Sequence, residues 1–143
     1  MCENILMIDR SLFTVLIVDD EPDILELMVE EFRYIGYNTI CASSGNQAVS
    51  ILSSDKKINL VVSDYKMPDG NGMVVLNHVS SMNPKPFFFF VSGQADVSVD
   101  QAVKAGALKF FHKPFDLDVL IKDIESTIVP LCHCAIVPLC HCE

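Results

Sequence analysis

Apolar residues along the chain follow two different spacings. Five short runs are apolar or β-prone at consecutive positions: Val15–Val18, Thr39–Ala42, Leu60–Ser63, Phe87–Val91 and Leu108–Phe111. Between and after these runs, apolar residues recur every three or four positions, which is the period of an amphipathic helix. Runs without alternation indicate strands that are covered on both faces of a sheet. The pattern therefore predicts an α/β fold with a doubly wound, five-stranded parallel sheet and five helices.

Several predicted helices carry recognisable start and stop signals. Gly36 is placed to end the first helix, and Ser44 with Gln47 has the Ser-x-x-Gln form of a capping box that opens the second. Gly106 should close the fourth helix, and Asp116 is the predicted N-cap of the last. The inner face of the first helix is predicted to hold Ile24, Leu27, Met28, Phe32 and Ile35.

Length and charge narrow the class of protein. A chain of 143 residues fits one domain with a single core. Its formal net charge of −9, without a cluster of basic residues, argues against direct nucleic-acid binding, which needs a basic face. No apolar run approaches the roughly 20 residues of a membrane helix, and the N-terminus lacks the features of a signal peptide. We therefore expect a cytoplasmic protein without a membrane segment.

Polar residues collect where the predicted strands end. Asp19 and Asp20 follow the first strand, Asp64 the third, Ser92 the fourth and Lys113 the fifth. Parallel strands end at one edge of the sheet, where ligand sites lie. Three carboxylates brought together there repel one another unless a cation joins them, and Mg²⁺ suits such oxygen ligands. Beside this metal an Asp can accept a phosphoryl group, with the lysine and the serine binding its oxygens.

Four motifs in this order and spacing resemble those of a known family: VLIVDDE, VVSDYKMPDGNG, VSG and FFHKPF. Together they are similar to the receiver domain of bacterial two-component response regulators, over about Thr14 to Val129. The resemblance implies a CheY-like (flavodoxin-like) fold with strand order 2-1-3-4-5. It divides the chain into an N-terminal extension (1–13), a receiver domain (14–129) and a Cys/His-rich tail (130–143).

The resemblance also assigns roles to individual residues. Asp64 would be the phosphoacceptor, and Mg²⁺ would be held by Asp20 and Asp64 directly, by Asp19 mainly through water, and by the backbone carbonyl of Lys66. Ser92 and Lys113 would bind the phosphoryl oxygens, and Lys113–Pro114 would be a cis peptide.

Three further positions concern switching and phosphoryl lifetime. Phe110 matches an aromatic position whose rotamer reports phosphorylation, although plain core packing is an equal alternative. Lys66 and Gln94 occupy the two positions that shape the approach of water to the acyl phosphate. A long lysine beside that group predicts slow loss of the phosphoryl group, over minutes or longer.

A receiver of this kind is a switch with only self-phosphorylation and self-dephosphorylation activity, and not a metabolic enzyme. Its expected partners are a sensor histidine kinase or histidine phosphotransfer protein, together with a downstream protein target. No basic helix-turn-helix segment follows the last helix, so we expect signalling by protein contacts through the fourth helix, fifth strand and fifth helix. A homodimer through that face is an expectation from the family alone.

Other function classes remain open at this stage. The chain is alternatively a receiver-fold interaction module that works without phosphorylation, although the full set of acidic, serine and lysine residues argues against it. A phosphohydrolase with an Asp nucleophile would want a second acid two residues further on, where Lys66 stands. A flavin-binding protein would need a phosphate-binding loop after the first strand.

Both ends depart from the family pattern. For residues 1–13 the simplest expectation is a frayed leader, with packing on the sheet edge as the alternative. The tail repeats IVPLCHC at 128–134 and 136–142. In an extended tail, each cysteine pair would lie on one face of a strand. Four interpretations of the tail are open: zinc or copper(I) binding, an oligomerising strand, thiols that cross-link in air, and a neutral duplication. The candidate tail ligands are Cys132, Cys134, Cys140 and Cys142.

Overall fold

Strands and helices alternate along the chain. The structure is a computed structural model that describes residues 7–93, 99–135 and 140–141. The strands are β1 (Met7–Ile8), β2 (Thr14–Val18), β3 (Asn38–Ala42), β4 (Leu60–Asp64), β5 (Phe87–Ser92), β6 (Lys109–His112) and β7 (Cys140–His141). The helices are α1 (Pro22–Tyr34), α2 (Gly45–Leu52), α3 (Gly72–Ser80), α4 (Val99–Lys104) and α5 (Leu117–Ala135), and a 3-10 turn spans Arg10–Leu12.

The main sheet is parallel, with strand order β3-β2-β4-β5-β6. Counted within this sheet alone, the order is 2-1-3-4-5, which confirms the predicted fold class. The order places β2 and β4 side by side, with Val18 next to Ser63. The ends of these two central strands therefore bring Asp19 and Asp64 to the same edge.

Each face of the sheet is covered by its own layer of helices. Along β2, Val15 and Ile17 point towards α1 and α5, while Leu16 and Val18 point towards α2 and α3, and all four side chains are buried. Residues on a strand face opposite sides in turn, so a strand between two helical layers needs apolar residues at every position. This is why the runs in the sequence do not alternate.

The end signals of the helices act largely as the sequence predicts. Gly36 follows α1 with a φ of 116°, a conformation that glycine adopts without strain. Ser44 Oγ accepts a hydrogen bond from the backbone N–H of Gln47, and the Gln47 amide oxygen accepts from the backbone N–H of Ser43 instead of Ser44. Asp116 Oδ1 accepts from the N–H of Asp118 at the start of α5.

One predicted core position is wrong. Leu27 is 58% exposed, whereas its neighbour Met28 and also Phe32 are buried against the sheet. Successive residues of a helix are rotated by about 100°, so Leu27 lies at the margin of the buried face of α1. There it lines an apolar groove of about 340 Å³ together with Ile24 and Phe115.

Residues 7–13 of the N-terminal extension are described, and they pack against the domain instead of fraying as the simplest expectation had it. Phe13 is fully buried, and Arg10 makes a bidentate ion pair with Glu125 of α5 through contacts of 2.7 and 2.9 Å. The hydroxyl of Tyr37 donates a hydrogen bond to the same carboxylate. Burial alone would raise the pKa of Glu125, but these hydrogen bonds and the charge of Arg10 lower it below its usual value.

The tail begins as helix and not as the extended chain in which each cysteine pair would share one face of a strand. Its first repeat continues α5 as far as Ala135, with Pro130 inside the helix. Ile124 and Ile128, four residues apart and fully buried, keep the preceding turns of this helix on the sheet. Residues 140–141 do form a short strand, which pairs antiparallel with β1. Cys142 and the side chains of the other tail cysteines lie outside the described residues, so metal binding there stays a prediction. No helix in the described ranges is long and apolar enough to cross a membrane.

Candidate functional site

The predicted polar residues meet at the carboxyl edge of the main sheet. Asp19 and Asp20 follow β2, while Asp64 is the last residue of β4. Oxygen atoms of these three carboxylates all lie within 4.8 Å of one another. The side chain of Lys113, which follows β6, reaches across to the same point. The fold therefore brings together the carboxylates and the lysine that the sequence indicated.

Asp64 is held in place by its own backbone and by Lys113. Its Oδ1 accepts a hydrogen bond of 2.7 Å from the N–H of Tyr65, and its Oδ2 lies 3.3 Å from Lys113 Nζ. The side chain is only 8% exposed. Burial and the neighbouring charge of Asp19 outweigh the attraction of Lys113 and raise the pKa of Asp64. This carboxylate is consequently desolvated while one face remains open to the cleft.

Lys113 is the main cation of the cluster. Its Nζ lies 2.9 Å from Asp19 Oδ2 and 3.3 Å from both Asp64 Oδ2 and Glu21 Oε1. Burial disfavours its charge, but the hydrogen bond and charge of Asp19 and the charge of Asp64 prevail, so the pKa of Lys113 is raised. The Lys113–Pro114 peptide is cis, as predicted.

An open cleft of about 630 Å³ lies above this cluster. Its lining combines residues from four strand ends and from the loop after β4: Asp20, Glu21, Asp64, Lys66, Met67, Pro68, Gly93 and Lys113. With Asp19, the edge carries four carboxylates against two ammonium groups. The cleft is therefore negative in balance and favours a cation.

The loop after Asp64 is anchored at both ends. Asp69 and Gly70 have positive φ values of 57° and 95°, and their carbonyl groups accept hydrogen bonds from the N–H groups of Asn46 and Gly45 at the start of α2. At the other end, the N–H of Gly72 donates to the carbonyl of Tyr65 over 2.7 Å. These contacts hold the backbone on the C-terminal side of Asp64.

Ser92 and Phe110 lie on neighbouring strands. Ser92 is fully buried at the end of β5, and its carbonyl accepts a 2.9 Å hydrogen bond from the N–H of Lys113. Phe110 is half-buried in β6, with its ring centroid 5.7 Å from that of Phe90 and 5.1 Å from that of His112. Ser92 therefore lies on the strand next to β6, and Phe110 lies within β6, the strand that precedes Lys113. Gln94, the other predicted lifetime residue, lies outside the described residues.

Sequence reasoning missed one residue of the cluster, Glu21. It belongs to the VLIVDDE motif, but as a single Glu before Pro22 it also fits an ordinary acid at the start of a helix. It precedes Pro22 at the N-terminus of α1, and its backbone N–H donates to Asp19 Oδ1 over 2.9 Å. Its position one residue after the Asp pair, at the same strand end, was the available signal.

The chain belongs to the family described as response regulator receiver domain, whose sequence model matches residues 15–125. The α/β fold and the acidic cleft with its lysine are consistent with this membership. The matched residues include most of the main sheet and the ends of all four strands that contribute to the cleft.

Individual relatives agree with this assignment. The chain is 32% identical over 114 residues to the response regulator SaeR of Staphylococcus aureus, an alignment that covers 79% of this chain and 49% of SaeR. It therefore spans about half the length of the curated relatives it matches. A receiver domain from Clostridium thermocellum superposes with a TM-score of 0.76 at 27% identity, covering 84% of this chain and 97% of that one.

A third relative was solved with ligands. The response regulator TrrA of Thermotoga maritima, in complex with Mg²⁺ and BeF, superposes with a TM-score of 0.71 at 26% identity. The superposition covers 81% of this chain and 99% of TrrA.

Proposed function

We propose that this receiver domain is a phosphorylation-controlled switch in which Asp64 accepts a phosphoryl group from a phosphohistidine. The observation that carries the proposal is the position of the Asp64 carboxylate, which faces an open cleft between two further Asp residues and the ammonium group of Lys113. The donor would be a sensor histidine kinase or a histidine phosphotransfer protein, as is usual for receivers of response regulators.

The residues of the cleft fit Mg²⁺. Three carboxylates with oxygens within 4.8 Å of one another form a hard, negative donor set. Burial, and after it the charge of Asp19, raises the pKa of Asp64, and a cation would offset both effects. Asp20 and Asp64 would hold the ion, Asp19 would contribute mainly through water, and the Lys66 carbonyl would complete the protein ligands. When bound, Mg²⁺ neutralises charge on phosphate oxygens. The TrrA structure with Mg²⁺ and BeF supports this expectation by relationship.

In the proposed transfer, an oxygen of the ionised Asp64 attacks the phosphorus of the donor. The phosphorus–nitrogen bond of the phosphohistidine breaks, a phosphorus–oxygen bond to Asp64 forms, and the freed imidazole takes a proton from water. Burial of Asp64 leaves its carboxylate poorly solvated and ready to react. Lys113 then donates hydrogen bonds to the phosphoryl oxygens, assisted by the hydroxyl group of Ser92.

The test is phosphoryl uptake from acetyl phosphate in the presence of Mg²⁺, followed by intact-mass spectrometry. The wild type should gain one phosphoryl group, and Asp64→Asn should gain none. Asp55→Asn, which removes the same charge from an exposed turn, should behave as the wild type. A folded wild type without uptake would favour the alternative, an interaction module that works without phosphorylation.

We further propose that Lys66 prolongs the lifetime of the phosphoryl group. Its exposed side chain lines the cleft next to the loop that follows Asp64, where it would obstruct the approach of water. Loss of the phosphoryl group should take minutes or longer, and Lys66→Ala should shorten its half-life. A wild-type half-life of seconds would contradict this role.

The output is proposed to pass through α4, β6 and α5 by protein contacts. Val103 of α4 and Val119 of α5 are 48% and 62% exposed, which offers apolar surface to a downstream protein or to a second copy. Phe110 belongs to β6, the strand of this face that ends one residue before Lys113, so its packing against Phe90 is the proposed link. Cytoplasmic location is part of the same proposal, because histidine kinases present their phosphohistidine there.

A further inference from the structure

Lys113 is shared by three carboxylates. Its Nζ contacts Asp19 at 2.9 Å and Glu21 and Asp64 at 3.3 Å each. A lysine ammonium group has three N–H donors and no acceptor. The three contacts therefore use its complete set of donors, and an anion that arrives at Lys113 has to replace one of them.

The three carboxylates differ in how easily they can be replaced. The side chains of Asp19 and Asp64 are 2% and 8% exposed, and each accepts a further hydrogen bond from a backbone N–H. Releasing either one would leave a desolvated charge without its cation, which is costly. The side chain of Glu21 is 59% exposed, so water can solvate it as soon as the contact opens.

We propose that Glu21 is an exchangeable counter-ion of Lys113, which holds the ammonium group until a phosphoryl group displaces it. This role rests on the proposed function of Asp64. It makes Glu21 a positioning residue, because it acts on the reaction through Lys113 and not by contact with the reacting atoms. Glu21 thereby opposes phosphorylation, since every anion bound at Lys113 must first displace it.

The same contact has the opposite effect on cations. While Glu21 contacts Lys113, the positive charge of the lysine is less available to Asp19 and Asp64. The carboxylate of Glu21 also makes the net charge of the cleft one unit more negative than it would be with a neutral residue at this position. Glu21 should therefore strengthen the binding of Mg²⁺ while it weakens the binding of oxyanions. Damage to the fold of the cleft would instead weaken both.

The test compares Glu21→Gln with the wild type in three measurements. Calorimetry with Mg²⁺ alone should give a dissociation constant about two- to fivefold higher for the variant, the range that partly exposed ion pairs span. At saturating Mg²⁺, beryllofluoride should bind about two- to fivefold more tightly, and uptake from acetyl phosphate should be faster by a similar factor.

Two matched variants separate the effect of the contact between Glu21 and Lys113 from the effect of removing one negative charge nearby. Asp23→Asn removes the same charge from an exposed residue in the first turn of α1, which has no contact with Lys113 among the described residues; it should change each value by less than half as much. Glu21→Asp keeps the carboxylate on a shorter side chain and should lie between the wild type and Glu21→Gln.

The outcomes distinguish this role from the proposed function. Absence of phosphoryl uptake by the wild type would overturn the proposed function, and the calorimetry with Mg²⁺ would still decide the counter-ion role. If the wild type takes up phosphate but Glu21→Gln equals it, or changes no more than Asp23→Asn, the counter-ion role is wrong. Weaker binding of both Mg²⁺ and beryllofluoride by Glu21→Gln would overturn it as well.

Discussion

Gly72 should be among the least replaceable residues of the cleft, although it contacts no ligand. A Cβ atom added at this position would lie 2.5 Å from Cε1 of Phe90, 3.0 Å from Cα of Tyr65, and still closer to the carbonyl oxygen of Asp64. Two of these three neighbours are backbone atoms, which cannot rotate away. Gly72→Ala therefore has to push the start of α3 away from the end of β4.

The size of the effect follows from this geometry. Restoring a separation of 3.0 Å from the carbonyl oxygen of Asp64, the nearest of the three atoms, requires a shift of more than about 0.5 Å. The shift strains the 2.7 Å hydrogen bond from Gly72 N–H to Tyr65, which contributes about 1 kcal/mol, and overpacking costs roughly 1–3 kcal/mol more. We expect the free energy of unfolding to fall by about 2–4 kcal/mol.

Urea denaturation followed by circular dichroism measures this change, and phosphoryl uptake should fall too. The clash involves the backbone of Asp64 itself, and misplacement of a reacting group by about 1 Å costs up to roughly 100-fold in rate. Gly93→Ala is the control, because its Cβ would lie at an ordinary 3.7 Å from Cβ of Lys113. A free energy of unfolding for Gly72→Ala within about 0.5 kcal/mol of the control would refute the steric reasoning.

Three further changes test the charges of the fold. Asp64→Asn should raise the melting temperature at neutral pH in the absence of metal. Because the pKa of Asp64 is raised in the folded protein, its ionised form lowers the stability of the wild type at pH values above the ordinary pKa of 3.8. The gain of the variant over the wild type should therefore vanish in acid. Glu125→Gln should lower the free energy of unfolding by about 1 kcal/mol at neutral pH. Because the pKa of Glu125 is lowered, the wild type should lose this advantage only as the pH falls below 4.5, which urea denaturation at a series of pH values would measure. Lys113→Met should cost about 3 kcal/mol in thermal or urea unfolding, and saturating Mg²⁺ should restore more stability to it than to the wild type; equal restoration would count against repulsion among the carboxylates.

Local signals in the sequence located most of the secondary structure. The apolar runs identified all five strands of the main sheet. The reason is clearest for β2, β4 and β5, which are buried on both faces and so cannot alternate with polar residues; the edge strands β3 and β6 are partly exposed. Gly36, Ser44 and Asp116 marked helix ends because capping depends on residues only a few positions apart. The strand order came from the family resemblance, since period and propensity do not say which strands are neighbours.

The core of the candidate site was also predictable, for a topological reason. Once five parallel strands are accepted, the residues after them have to share one edge of the sheet. Asp19, Asp64 and Lys113 follow from that rule without knowledge of any side-chain position. The resemblance then added their roles, which geometry alone does not contain.

Contacts between distant segments were decided only by the tertiary structure. Glu21 and Lys113 are 92 positions apart, and Arg10 and Glu125 are 115 apart. The residues that surround Glu21 or Arg10 in the sequence do not indicate whether an oppositely charged partner lies nearby in the fold. The exposure of Leu27 and the length of α5 likewise depend on which neighbours cover each helix. Short-range patterns determine the elements and the edge at which their ends meet, whereas the pairing of charges there depends on side-chain reach across the packed fold.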